Sequence, residues 1–316
     1  MSASAKRSTT RAFETRLASI AKEIEGLLQH LLGPELEAGE LARPKRLLEA
    51  MRYAALAGGK RLRPFLVVES ARIFGVKPEQ AMMTAAAVEC VHAYSLAHDD
   101  LPAMDNDAVR RGRPTAHIAF DEATAILAGD ALLTFAFDLL SRPQTHADPA
   151  VRIALVAELA RAAGIGGMAG GQLLDLGAEG RFGKLPEGAI SEDAVILLES
   201  MKTGALIRAA CCMGAILGKA TEDARRALDF YGYALGQAFQ IADDLLDLEG
   251  DPKTVGKKTK KDAAAGKATF IAVLGVEGAR ERLATLVSTA EAALNEFGDD
   301  AATLRAAAQF VAKRQA

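Results

Sequence analysis

Two stretches, Ala85 to His98 and Tyr231 to Leu248, are apolar at almost every helical position, and each ends in a cluster of aspartates. A helix at a protein surface keeps a polar face, so a helix apolar most of the way round belongs at the centre of a bundle. Two such helices require a shell of further helices around them.

That shell is legible. Phe13, Leu17, Ile20, Ile24, Leu27, Leu28 and Leu31 step by three or four, the stripe of an amphipathic helix. Gly33-Pro34 stops it. Further breakers at Gly58-Gly59, Arg142-Pro143, Gly177 to Pro186, Gly250 to Gly256 and Gly298 separate long runs rich in Ala, Leu, Glu and Arg. Alternating runs of strand type are nearly absent. The sequence predicts an all-α, single-domain bundle of about ten or more helices over 11–316. Residues 1–10, rich in Ser, Thr and basic groups, read as a flexible tail, with an organelle transit sequence as the alternative.

Half the residues are hydrophobic and a quarter are charged, which excludes general disorder. The 38 Lys and Arg stand against 41 Asp and Glu, a net charge of −3, and a nucleic-acid-coating surface would need a basic excess. Cys90, Cys211 and Cys212 sit in apolar surroundings without the spacing of a zinc site, and read as buried thiols of a reducing compartment. No uninterrupted apolar run reaches the ~18 residues of a membrane span; Arg208 breaks the best candidate, Thr203 to Gly218. The expected location is cytoplasmic.

The aspartates carry the chemistry. Asp99, Asp100 and Asp105 lie in HDDLPAMD, and Asp243, Asp244 and Asp247 in DDLLD. Adjacent carboxylates repel, so such clusters persist when solvated or when a cation collects them. Asp243 and Asp247 share a helix side with Gln240, and Ser95 and His92 line up behind Asp99. One acidic cluster at a helix end reads as ordinary solvated charge. Two, each ending an apolar helix, point to a hard cation of the Mg²⁺ type, and no EF-hand loop offers a calcium alternative.

Cations accompany them. Gly58 to Pro64 carries Lys60, Arg61 and Arg63, Arg110, Arg111 and Arg113 follow the first cluster, and Lys257, Lys258 and Lys267 follow the second. Cations beside carboxylate pairs in an acidic chain suit a phosphate or diphosphate together with a metal. No Walker A sequence is present.

The runs GGKRLRP, VECVHAYSLAHDDLPAMDNDAVRRGRPTAH, AILAGDALL, GGQLLDL, KTGALIRAA, AFQIADDLLDLEGD and GKAT, in this order, resemble the trans-prenyltransferase (polyprenyl synthase) family, and within it the bacterial farnesyl diphosphate synthases. The resemblance spans about residues 50 to 275. It implies an isoprenoid-synthase bundle around a central cavity, in a homodimer, with several Mg²⁺ ions per site and Mn²⁺ as the alternative. By resemblance Asp99, Asp105 and Asp243 are metal ligands, supported by Asp100, Asp244 and Asp247. Arg110, Lys202 and Lys257 would hold the allylic diphosphate, with Lys267 as a further substrate-binding cation. Lys60, Arg63, His92 and Arg111 would hold isopentenyl diphosphate. The Lys202-Thr203 backbone and the Gln240 side chain would face the allylic cation. Taken alone, His92 would read as an ordinary core histidine.

The implied reaction condenses isopentenyl diphosphate with dimethylallyl and then geranyl diphosphate. The allylic C–O bond ionises, the isopentenyl double bond attacks, and a proton leaves. Tyr94, five residues before Asp99, sits about 7 to 8 Å deeper along a helix. In the family an aromatic residue there, with Ser95 beside it, sets the floor on which the product tail stops. With Leu101-Pro102 inserted in the aspartate motif, the pattern is similar to enzymes that stop at C15. Tyr94 as plain core packing remains the alternative reading. Two departures stand out: Asn106 replaces a common aspartate, and Lys260 a common glycine. The rival readings are a geranylgeranyl diphosphate synthase, a class I terpene cyclase and a non-catalytic prenyl synthase subunit.

Overall fold

The computed structural model describes residues 3–183, 191–249 and 269–313. The chain is 76% helical. Helices α1 (Ala3–Leu31), α2 (Lys45–Ala55), α3 (Leu62–Ile73) and α4 (Pro78–Asp99) lead to the first aspartate cluster. A two-stranded hairpin follows, β1 (Val109–Arg110) antiparallel to β2 (Arg113–Pro114). Then come α5 (Ala116–Ala119), α6 (Glu122–Ser141), α7 (Pro149–Ala163), α8 (Met168–Ala178) and α9 (Glu192–Glu199). A π-helical turn, Ser200–Gly204, joins α9 to α10 (Ala205–Leu217). The second cluster lies near the end of α11 (Glu222–Glu249), and α12 (Phe270–Ala293), a 3₁₀ turn and α13 (Ala302–Ala312) close the bundle.

The breakers act where the sequence puts them: α1, α6, α8 and α11 end at Leu31, Ser141, Ala178 and Glu249. Starts are set by side-chain caps, which satisfy amides that lack a helical partner. Asp121, Asp148, Ser191 and Thr269 accept from the backbone N–H of Thr124, Ala150, Ala194 and Ala272. At the amino end α1 begins at Ala3, well before its first apolar stripe residue, Phe13. Residues 3–10 are helical, because nothing before Phe13 breaks a helix and Ala, Lys and Arg favour one.

One apolar core runs from Phe13 to Val311. The two apolar stretches lie inside it as expected, and α3 and α10 are equally enclosed: Pro64 to Ala71 and Ala209 to Leu217 are buried without a gap. Packing there is backbone-close. A Cβ on Gly214 would stand 2.5 Å from Ser70 Cβ, and one on Gly236 only 2.8 Å from Gly204 Cα.

By length and hydropathy, Glu122–Ser141 and Pro149–Ala178 could cross a membrane. Neither is an uninterrupted apolar run: Asp130 and Asp138 break the first, and Arg152, Glu158 and Arg161 the second. In the structure α6 packs on α4, burying Ala125, Ala128, Leu132, Ala136 and Leu139, and leaves Ile126 and Leu127 exposed.

Candidate functional site

The first cluster is a folded loop at the end of α4. The Asp105 N–H donates to the Asp99 carbonyl at 2.8 Å and the Asn106 N–H to the Leu101 carbonyl at 3.1 Å. Asn106 has φ 52°, a left-handed conformation that asparagine tolerates well among residues with a side chain. Arg181, just after α8, donates to the Ala103 carbonyl at 3.0 Å and ties the loop down. Burial pushes the Asp99 carboxyl up to about 6; Lys202 and Arg110 pull it down, and Asp105 and Asp100 push it further up. A buried carboxyl crowded by two others is a place where a cation is favoured.

Its neighbour Asp100 is 3% exposed and gripped by Arg110, whose Nε–H reaches both carboxylate oxygens at 2.8 and 3.1 Å. The hairpin aims this arginine. Its two-residue turn, Arg111-Gly112, has positive φ at both positions (51° and 73°), the sign that tight hairpin turns require. Arg111 then points the other way and donates to the Gly58 carbonyl. A side chain on Gly59 would overlap that guanidinium, at 2.6 Å from its nearest nitrogen.

Lys202 lies on the π-turn and is ion-paired with Asp175 of α8, which is 3% exposed. Burial pulls the Lys202 ammonium down, but Asp175, and beyond it Asp99 and Asp105, hold it above the ordinary lysine range. The glycine pair before Gln172 lets α8 come this close to the turn: a Cβ on Gly171 would stand 2.2 Å from the Lys202 backbone nitrogen. One residue on, the Thr203 hydroxyl donates to Gln240 Oε1 at 3.1 Å, and Gln240 Nε2 donates to Asp244 Oδ1 at 2.9 Å. Asp244 Oδ2 accepts from the Phe270 N–H at 3.0 Å, so this carboxylate also fastens α12 to α11. The two aspartate clusters thus converge on the π-turn, a local form frequent at functional positions. Asp247 is buried on the same helix side as the more accessible Asp243. Among the described residues no three carboxylate, histidine or cysteine groups close into a metal cage.

A cavity of about 90 Å³ gathers Lys60, Arg63, His92 and Arg111, with Glu89, Phe239 and Phe310. The Lys60 ammonium lies 5.0 Å from the centre of the Phe310 ring. Burial, then Arg63, Arg111, Arg61 and Arg110, holds the His92 imidazole well below the ordinary histidine range. Arg61 is left-handed (φ 52°), and its guanidinium is spent on Glu89 and the Ala55 carbonyl. A larger cleft, about 990 Å³, lies between α7, the π-turn, α10 and α11 and is lined by none of the side chains assigned to metal or substrate.

The Ser95 hydroxyl donates back to the His92 carbonyl at 3.0 Å. Tyr94 is half-buried, its hydroxyl pushed up by burial and by Asp99. Lys257, Lys260 and Lys267 lie outside the described residues. Asp175, Glu89, Arg181, Phe239 and Phe310 had no assigned part in the sequence reading. Asp175 alone had a signal, as the single charge in the apolar run GGQLLDL.

Comparisons with known proteins identify the family. The polyprenyl synthetase family profile matches residues 44–303. Farnesyl diphosphate synthase of Escherichia coli is 48% identical over 275 residues, 85% of this chain and 89% of that protein. Geranylgeranyl diphosphate synthase of Cyanophora paradoxa is 38% identical over 271 residues, covering 86% and 88%. The crystal structure of an FPP/GFPP synthase from Zymomonas mobilis superposes with a TM-score of 0.84 at 42% identity, covering 96% of this chain and 99% of that one. With that profile spanning most of the chain and a relative at 48% identity along most of its length, the chain belongs to the polyprenyl synthetase family.

Proposed function

We propose that the chain is a Mg²⁺-dependent prenyltransferase that condenses isopentenyl diphosphate with dimethylallyl and then geranyl diphosphate to give farnesyl diphosphate. The observation that carries this reading is the line from Asp99 past Lys202 and Thr203 to Gln240 and Asp244, with the Lys60, Arg63, His92 and Arg111 pocket alongside.

The donor set fits Mg²⁺. Asp99, crowded by Asp105 and raised by burial, offers hard oxygen. Mg²⁺ needs only one or two carboxylates, completing its shell with water and phosphate oxygens, so a three-residue cage is not required. Asp99, Asp105 and Asp243 would hold the ions, with Asp247 near them and Asp100 and Asp244 steadying their neighbours. When bound, the ions neutralise the charge that builds on the departing diphosphate.

The chain's own residues do the rest. Lys202, held by Asp175, is a fixed cation facing the same leaving group, which Arg110 also serves; Lys257 and Lys267, outside the described residues, are assigned to substrate diphosphate by the family resemblance alone. Lys60, Arg63 and Arg111 hold the second diphosphate, and neutral His92 adds a hydrogen-bond donor among them. The allylic C–O bond breaks with its electron pair leaving on diphosphate, and the isopentenyl double bond supplies the pair for the new C–C bond. The diphosphate takes the proton that the new cation loses. The Lys202-Thr203 backbone and the Gln240 amide offer dipoles to the cation without an anion that would trap it. Tyr94 ends the tail channel. Exposed Ile126, Leu127, Ile153, Leu173 and Leu174 on α6, α7 and α8 would be covered in a homodimer, and the three buried thiols suit the cytoplasm.

The test is product formation from isopentenyl and geranyl diphosphates with Mg²⁺ or Mn²⁺, read by mass spectrometry, with sedimentation for the oligomer. A C15 product supports the reading. C20 product moves the chain to the geranylgeranyl branch, and no product from folded protein removes the enzyme.

A further inference from the structure

Tyr94 does not stand alone. Its ring meets the His98 imidazole edge to face, with centroids 5.7 Å apart and planes at 78°. Four residues apart on α4, the two side chains share one helix side. His98 is fixed in turn by α6. Its Nε2–H donates to the Ile126 carbonyl at 2.9 Å, and the ring lies in the notch that Gly129 leaves. A Cβ on Gly129 would stand 2.1 Å from Nε2 and 2.4 Å from Cδ2, so no larger residue leaves the ring where it is. Asp130 Oδ1 lies 4.0 Å away, too far for a hydrogen bond.

We propose that His98 is a positioning residue for product length: seated on Gly129 and the Ile126 carbonyl, it holds the Tyr94 ring in place as the stop for the growing tail. This rests on the reading of Tyr94 as the floor of the channel. A half-buried tyrosine with one side unsupported has rotamers to spare, and edge-to-face contact with a fixed ring removes them. Helix α6 thereby enters the specificity of the site although it contributes no group to the chemistry. Its part is the glycine in AILAGDALL, whose absent side chain makes the seat.

The experiment compares product distributions of the full-length protein and of Tyr94→Ala, His98→Ala, His98→Phe and Gly129→Ala, supplied with isopentenyl and dimethylallyl diphosphates and Mg²⁺, so that C10, C15 and C20 products can all be read. His98→Ala is expected to raise the ratio of C20 to C15 product on the order of five- to tenfold, the scale of one lost ring contact. His98→Phe keeps a ring edge against Tyr94 and is expected to return the ratio most of the way. Gly129→Ala, which drives the imidazole off α6 toward Tyr94, is expected to shift products toward C10. If Tyr94→Ala lengthens the product and His98→Ala does not, the seat is overturned while the floor stands. If neither lengthens it, the floor reading itself falls. A His98→Phe ratio as high as that of His98→Ala overturns the ring contact as the cause. Circular dichroism on each variant separates these outcomes from misfolding, and if Gly129→Ala does not fold, the two His98 variants decide alone.

Discussion

Arg110 holds Asp100 with three short contacts, its Nε at 2.8 and 3.1 Å from the two carboxylate oxygens and an Nη at 2.8 Å. The sequence reading gave these residues separate ligands, a diphosphate and a metal. In the structure they are first each other's partners, and the pair ties the arginine hairpin to the end of α4. Asp99, one residue earlier, has a carboxyl raised by burial and by other carboxylates.

The neighbours therefore differ under the same substitution. Asp99→Asn removes a buried, repelled charge, and is expected to leave the unfolding temperature unchanged or higher while turnover falls a hundredfold or more. Asp100→Asn leaves a partly buried guanidinium with a weaker partner. After allowance for the third of Arg110 that is exposed, the cost is about 1 to 2 kcal/mol, a few degrees in melting temperature. Thermal unfolding and product assays on both variants check this; near-normal turnover in Asp99→Asn, or an unchanged melting temperature in Asp100→Asn, overturns the division.

Asp175 acts through Lys202. Supporting groups of this kind typically matter by about 10- to 100-fold, and Asp175→Asn is expected to lower kcat by that amount with little change in KM for isopentenyl diphosphate, whose cavity Asp175 does not line. Asp175→Glu should recover part of the loss. Steady-state kinetics for both substrates decide it, and a change confined to KM would point to a different role.

The helical period, the breakers and the two aspartate-tipped central helices were readable because each is a local pattern. Burial of α3 was not, because GGKRLRP draws attention to its charges while Pro64 to Ala71 vanish into the core. Individual side chains were legible by type and not by partner. Lys60, Arg63, His92 and Arg111 line one cavity, and Arg61, indistinguishable from them in sequence, lines it too but is paired with Glu89 from another helix. The same limit hid Asp175 and Gly129. A residue whose role is to hold another is identified by a contact across the fold, and no spacing along the chain encodes it.

His92 gives a pH dependence of definite sign. Its folded pKa lies well below that of the unfolded chain, mainly through burial and then through four arginines. Both states carry neutral His92 above about pH 6.5. As pH falls below that value the unfolded chain takes up a proton that the folded one refuses, so stability is lost. Urea unfolding at pH 7.5 and 5.5 should show a smaller acid loss in His92→Gln than in the parent. Equal losses in the two proteins would show that His92 titrates alike in both states.

Two glycines on helices should respond to alanine with opposite signs. Gly26 is exposed on α1 with nothing within 4 Å of a Cβ, so Gly26→Ala gains helix propensity, about 0.5 to 1 kcal/mol. Gly236 lies where α11 meets the π-turn, and its Cβ would stand 2.8 Å from Gly204 Cα, which is backbone and cannot swing away. Overpacking of this kind costs about 1 to 3 kcal/mol and outweighs the propensity gain. The strain falls on the turn that carries Lys202 and Thr203, one helical turn from the Thr203 to Gln240 hydrogen bond. Gly236→Ala is therefore expected to lower turnover and melting temperature together, whereas Gly26→Ala raises the melting temperature and leaves turnover alone. Calorimetry and a product assay on the two variants read both signs, and a stabilised Gly236→Ala protein with normal turnover would mean that α11 and the π-turn can part without cost.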